Sequence, residues 1–328
     1  VPLLNHPFLA YQLDLLRRHG VTDVVLSCSY MVEEVRRALG DGSAHGVRLS
    51  YAVETEPLGT AGGVRNAVDL VAGLVLVLNG DILTDVDLSA MLQFHEDCRA
   101  SATIELFPVA DPRPYGLVEL GEGGRVLRFI EKPDPAQVTT NTINAGIYLL
   151  DRELLGRIPA GRPVSIEREF FPGLLADRIP FYGWVGHHYW LDIGSPAKYR
   201  QAQLDLMAGK VSTAVGVASG PGQRSIGDDV AVDPTAGVSG PCVIGAGSRL
   251  EAGCRVGPEA VLGEWCVVGR GACVTGAILW DRVSLGDDAS VRDCIIGRGA
   301  RVGAGARIGP GVVIEADGVV PDHASLDG

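Results

Sequence analysis

The sequence predicts an α/β domain, a doubly wound and mostly parallel sheet, followed by a parallel β-helix. Three observations carry this. Residues 73–81 read Gly-Leu-Val-Leu-Val-Leu-Asn-Gly-Asp, with five consecutive aliphatics and no polar alternation. Such a run marks a strand buried on both faces, as in the middle of a parallel sheet. Upstream of it, helix and strand patterns alternate at βαβ spacing. From Ile226 onward aliphatics recur every sixth residue, the signature of stacked coils.

The front elements follow in order. Residues 5–19 predict a helix: Asn5 caps it, Pro7 suits its first turn, Leu9, Leu13 and Leu16 form an apolar stripe, and Gly20 closes it. Residues 24–26 predict a short buried strand, 30–39 a helix, and 47–53 a strand. A helix is expected at 61–71 behind a Gly-rich entry, then the strand 73–78. Opening on a helix is the odd feature, because a fold of this kind begins on a central strand and the loop that leaves it.

Composition narrows the function. At 328 residues, two domains are the natural prior, and the net charge of −12 with 46% hydrophobic residues describes an acidic globular protein. That balance offers no general surface for nucleic acid or an acidic membrane. Anionic substrates would need a few local Lys or Arg, or a metal. No apolar run approaches a membrane span, and the opening residues do not read as a signal peptide. Seven cysteines, none in a Cys-x-x-Cys pair, point to a reducing compartment, with the cytoplasm as the default.

Four stretches of the front half could carry chemistry. Asn79-Gly80-Asp81 ends the apolar strand, where open α/β sheets bind ligands, and Asp81 is placed to hold a cation; a simple strand-ending turn is the competing reading. Residues 56–63, Glu-Pro-Leu-Gly-Thr-Ala-Gly-Gly, could bring backbone N–H groups to a phosphate or base, or be merely structural. Glu131-Lys132-Pro133 follows a predicted strand at 126–130, as a ligand-facing acid and base or as a solvated pair. Asp192 lies between apolar residues in Trp190-Leu191-Asp192-Ile193-Gly194, where its charge needs a partner, a cation being one candidate.

In this order, and with Asn144-Ala145-Gly146-Ile147-Tyr148 and Ser165-Ile166-Glu167-Arg168-Glu169-Phe170-Phe171-Pro172, these motifs closely resemble the sugar-1-phosphate nucleotidyltransferases over residues 1–207. The chain looks most like the bacterial mannose-1-phosphate guanylyltransferase branch. The resemblance implies a Rossmann-like fold and in-line attack of a sugar-1-phosphate oxygen on the α-phosphorus of a nucleoside triphosphate. It implies Mg²⁺ held by Asp81 and Asp192, with Lys132 on the attacking phosphate. Glu131, Asn144, backbone near Gly146 and Glu167 would bind the sugar. Gly59, Thr60, Asn79 and Gly80 would line the nucleotide side, with Glu56 in the same substrate-binding loop. GTP and mannose-1-phosphate are the favoured substrates. Glucose-1-phosphate thymidylyltransferase or uridylyltransferase, and a catalytically silent regulatory paralogue, are the alternatives.

One departure stands out. The family's N-terminal Gly-rich loop with its Arg and Pro-Lys-Pro segment does not occur, and Gly62-Gly63-Val64-Arg65 is only a lookalike. The 328 residues are therefore expected to be a fragment with little or no turnover by themselves.

Residues 209–225 are small and flexible in composition and read as a linker between a domain at 1–208 and a β-helix at 226–328. Aliphatics fall at Ile226, Val232, Val238 and so on to Val274. Five-residue steps then reset the frame to Leu279 and again to Ile296. Small residues follow most aliphatics by four places, which makes hexapeptide coils, and the resemblance to hexapeptide proteins makes them left-handed. Cys242, Cys254 and Cys266 occupy that small slot as compact apolar fillers without metal. No His lies between residues 209 and 322, which argues against acyl transfer. The β-helix is expected to act in docking or in homo-oligomerisation.

Overall fold

The computed structural model describes residues 1–216, 220 and 222–328; part of the expected linker, residues 217–219 and 221, lies outside the described residues. The chain opens on a hairpin, β1 (Pro2–Leu3) and β2 (His6–Pro7), before α1 (Phe8–Arg18). Asn5 therefore does not cap a helix. Leu4 and Asn5 both have positive φ, 45° and 68°, and form the two-residue turn that such hairpins require. Next come β3 (Asp23–Cys28), α2 (Val32–Leu39), β4 (Arg48–Val53) and α3 (Gly59–Asn66). The helix expected to reach residue 71 breaks into a 3₁₀ turn at Val68–Leu70. There Arg152 donates to the Val68 and Val71 carbonyls, satisfying groups a helix end leaves orphaned. The remaining elements are β5 (Leu74–Leu78), β6 (Ile82–Thr84), α4 (Leu88–Asp97), β7 (Ala102–Pro108), β8 (Gly116–Leu120), β9 (Val126–Glu131) and β10 (Thr142–Asp151). They continue with α5 (Arg152–Leu155), α6 (Phe171–Ala176), β11 (Phe181–Val185), β12 (Trp190–Asp192) and α7 (Pro196–Met207).

Contacts divide the chain into two compact units: Gln12–Trp190, and Val1–Tyr11 with Leu191–Gly328. In the first, the main sheet runs β11-β7-β10-β8-β9, with β5 also on β10. The expected parallel direction holds for β3 with β4 and for β7 with β11, while every pairing of β10 is antiparallel. No helical crossover feeds β10, so it can return against its neighbours. It is long enough to pair with β8 near Ile143 and with β5 from Ile147 onward. Beneath lie Ile104, Leu106, Tyr148, Leu150, Phe171 and Phe181 in one apolar core. The five aliphatics of β5 are less enclosed than a two-faced burial predicts. Val75 is buried, Leu76–Leu78 are half-buried, and Leu74, at the strand's entry opposite Asp151, is exposed.

In the second unit, short strands from Arg224–Ile226 to Ser325–Leu326 stack into three six-stranded parallel sheets. A coil takes 18 residues where Ala260 lies opposite Cys242, and 17 across the resets, where Ile278 faces Val261 and Ile295 faces Ile278. Both short steps fall at one corner, at Gly276 and Asp293, each with positive φ. Arg200 of α7 docks there, donating to the Gly276 carbonyl at 2.9 Å and pairing with Asp293. Trp280 donates to the Tyr199 hydroxyl at 3.1 Å, Asn5 donates to the Leu262 carbonyl at 2.7 Å, and Gln203 receives the Leu4 N–H at 2.7 Å. Helix α7 and the opening hairpin thus belong to the β-helix unit.

All seven cysteines are free, with Cys242, Cys254, Cys266 and Cys294 buried. Burial pushes the Cys266 and Cys294 thiols up to about 12, far from reactive thiolate. Thiol titration is expected to find seven free thiols in denaturant without reductant, and native-state reaction only at Cys28, Cys98 and Cys273, with Cys28 slowed because burial raises its thiol. A lower denatured count would reveal a disulfide or a bound metal. Among the described residues, no helix is long and apolar enough to cross a membrane.

Candidate functional site

In the unit Gln12–Trp190 several separated motifs meet around the Tyr148 hydroxyl. Between Asn144 and Tyr148 the register of β10 against β7 slips, a bulge of the kind that re-aims side chains. Gly146 sits in it at φ 83°, and a side chain there would strike Asn79. The two loops are joined by Asn79 N–H donating to the Gly146 carbonyl at 2.8 Å. Asn144 braces the bulge, accepting from Gly146 N–H and donating to the Tyr148 hydroxyl, each at 3.0 Å. Burial raises the Tyr148 hydroxyl well above the ordinary phenol range; the charges of Glu167, Glu131 and Asp81 push the same way, while the Asn144 bond opposes them.

Glu131 ends β9 half-buried against Gly116. Desolvation holds its carboxyl above the usual range, the neighbouring Glu167 adds to this, and Lys132 and Arg168 offset it. Lys132 is exposed, and its φ of 49° turns the chain sharply out of the strand. Glu167 Oε2 accepts from Ser165 Oγ at 2.7 Å and Thr60 Oγ1 at 3.0 Å. The same Thr60 oxygen accepts the Ile166 N–H at 2.8 Å, so the 56–63 loop is pinned to residues 164–167. Gly59, at φ 72°, passes so close to the Val164 carbonyl that a Cβ would lie 2.8 Å from it. Glu56 is exposed in the same loop. Gly80 and Asp81 are exposed at the end of β5.

Sequence reasoning missed Gln12. Its Nε2 donates to the Asn79 carbonyl at 2.8 Å and the Ile82 carbonyl at 3.0 Å, clasping the loop that carries Asp81 from both sides. The available signal was a glutamine inside the apolar pattern of α1, where it is buried. Trp190 opens the 190–194 motif. It stacks on Phe107 at 5.6 Å, and its Nε1 donates to the Ala145 carbonyl at 2.9 Å.

Asp192 belongs to the other unit. The partner that its charge demanded is Lys198, whose Nζ lies 2.9 Å from Oδ2, while Gly194 N–H donates to Oδ1 at 2.7 Å. Asp192 thus presents an oxygen that already holds a cation, which suits a divalent ion. Among the described residues, no group of three or more His, Cys, Asp or Glu forms a metal cluster. Carboxylate oxygens of this kind are what a hard divalent cation takes, one or two at a time, with phosphate and water completing its shell.

Residues 1–209 match the nucleotidyl transferase family, and the chain belongs to it. Residues 223–326 match the EIF2B subunit epsilon LbH domain, and the coils are those of a left-handed parallel β-helix. The chain is 38% identical over 258 residues to a mannose-1-phosphate guanylyltransferase of Mycobacterium tuberculosis, covering 78% of this chain and 71% of that protein. It is 29% identical over 310 residues to a UTP–glucose-1-phosphate uridylyltransferase of Synechocystis sp., covering 89% and 80%. Its fold matches the crystal structure of HddC from Yersinia pseudotuberculosis complexed with GMP-PN, with TM-score 0.55 and 27% identity, covering 63% of this chain and 88% of that one.

Proposed function

We propose that this protein transfers a nucleotidyl group from a nucleoside triphosphate to a sugar-1-phosphate, with GTP and mannose-1-phosphate as the preferred pair. The observation that carries the reading is the joining of the 79–81 loop to the Asn144–Tyr148 bulge, in the same unit that ties Thr60 of the 56–63 loop to Glu167. The likeness to the Mycobacterium tuberculosis enzyme supports the choice of base and sugar. The same reading takes 1–208 as the catalytic domain, 209–225 as linker and 226–328 as the β-helix, in a cytoplasmic homo-oligomer.

In the reaction, a sugar-phosphate oxygen forms a bond to the α-phosphorus, and the bond from that phosphorus to the bridging oxygen of pyrophosphate breaks. The nucleophile is already an anion, so no general base is needed and catalysis is positioning plus charge neutralisation. Lys132 holds the attacking phosphate as a point charge. Glu131, Asn144, the Gly146 backbone and Glu167 accept or donate hydrogen bonds to sugar hydroxyls. Gly59, Thr60, Asn79 and Gly80 line the nucleotide, with Glu56 at the mouth of the same loop. Mg²⁺ on Asp81 and Asp192 would supply charge neutralisation at the α-phosphate and the departing pyrophosphate.

Pyrophosphate release by the full-length gene product, measured with GTP, UTP, dTTP and ATP against mannose-1-phosphate and glucose-1-phosphate, tests this. The highest kcat/KM is expected for GTP with mannose-1-phosphate. Preference for UTP and glucose-1-phosphate would move the assignment to the activity of the Synechocystis relative. Tight nucleotide-sugar binding without turnover of any pair would instead identify a silent regulatory subunit.

A further inference from the structure

We infer that Lys198 is an internal competitor for the metal: its ammonium takes the cation position on Asp192 and sets how tightly a divalent ion binds there. The inference rests on the proposed role of Asp192 as a metal ligand. Its physical basis is the local build of one short segment. The Gly194 N–H fixes Oδ1 at 2.7 Å, so the carboxylate cannot rotate freely, and Oδ2 is left facing α7. Ser195 caps that helix by accepting the Lys198 N–H at 3.4 Å, and Pro196 starts its first turn. Lys198 then reaches back along the helix start to place Nζ 2.9 Å from Oδ2. Both side chains are partly shielded from water, 35% and 25% exposed, which strengthens the pair relative to a surface one.

A divalent ion binding the same oxygen at about 2.1 Å would bring two cations onto one acceptor. Their repulsion requires Lys198 to leave. Lysine suits this role because its charge sits on a flexible stem and is readily rehydrated, whereas a guanidinium would hold the carboxylate through two bonds. The pair keeps Asp192 neutralised before the metal arrives and weakens metal uptake until substrate phosphates add their own ligands.

Mn²⁺ binding to the purified, metal-free protein, followed by its EPR signal without substrates, tests this independently of activity. Lys198→Gln is expected to bind Mn²⁺ roughly five-fold more tightly than the parent, and Lys198→Arg no more tightly than the parent. Lys198→Met, which keeps the apolar stem, serves as a second neutral variant should the Gln variant melt early. Asp192→Asn is the control and is expected to lose this binding. If Asp192→Asn loses Mn²⁺ while both neutral variants bind it like the parent or more weakly, the competition is refuted and the metal assignment stands. If Asp192→Asn binds Mn²⁺ like the parent, the metal assignment itself fails and the competition with it.

Discussion

In the full-length gene product, Asp81→Asn and Asp192→Asn are each expected to lower turnover by about 10²–10³, the usual effect of removing one preorganised electrostatic contact at a developing charge. The protein is acidic, at net −12, and the proposed substrates are two polyanions. Charge neutralisation at the α-phosphate must therefore come from a local cation rather than from the surface as a whole. Asn keeps the size and shape of Asp, and Asp81 is exposed at a strand end, so the fold should not suffer. The expected signature is a fall in kcat and a higher Mg²⁺ requirement with the fold retained; Asp192→Asn also loses its ion pair with Lys198, at a cost of up to about 1 kcal/mol. Lys132→Ala should instead raise the KM for the sugar phosphate most strongly, since its charge faces the attacking group. Undiminished turnover in both Asn variants would end the two-carboxylate mechanism.

Val302→Asp is expected to cost on the order of 4 kcal/mol or more of stability and to collapse the β-helix. Val302 is 3% exposed and stacks between Leu285 and Val320 in adjoining coils. A carboxylate there has no water, and its nearest neighbours are the apolar members of the stack. Each buried aliphatic contributes about 1.5–3 kcal/mol, but only through contact with the coils above and below. Val302→Ala should therefore cost less, within that range, by leaving a cavity rather than an unpaired charge. Urea unfolding followed by circular dichroism would read the difference. An unchanged midpoint for the Asp variant would mean that residues 226–320 do not form one continuous stack.

The β-helix was the most legible part of the chain. Its period is local and every coil repeats the same demand for an inward aliphatic and a small neighbour. The motif residues of the front half were legible one by one, as acids, amides and glycines at strand ends. Their meeting was not. The Asn79–Gly146 bond joins segments 67 positions apart, and only the slip in β10 brings them into register. The opening residues misled for a related reason. Asn5 before an apolar stripe is a good helix cap, yet pairing of Pro2–Leu3 with His6–Pro7 made it a turn residue, because tertiary contacts outweigh a capping preference of about 1 kcal/mol.

What the sequence by itself determined is the alternation of strand and helix from residue 24 to 78, the coil period with its two resets, and the inventory of charged groups at strand ends. Those follow from periodicity and residue chemistry, which act over a few neighbours. The tertiary structure alone decided what the resets do and what Asp192 pairs with. Two five-residue steps one coil apart become a single corner, where Arg200 meets Gly276 and Asp293. The burial that made a counterion necessary for Asp192 could be read from its apolar neighbours. That the counterion is Lys198 depended on the turn at Gly194 and the start of α7, because an ion pair forms only between groups the backbone has already brought within about 4 Å.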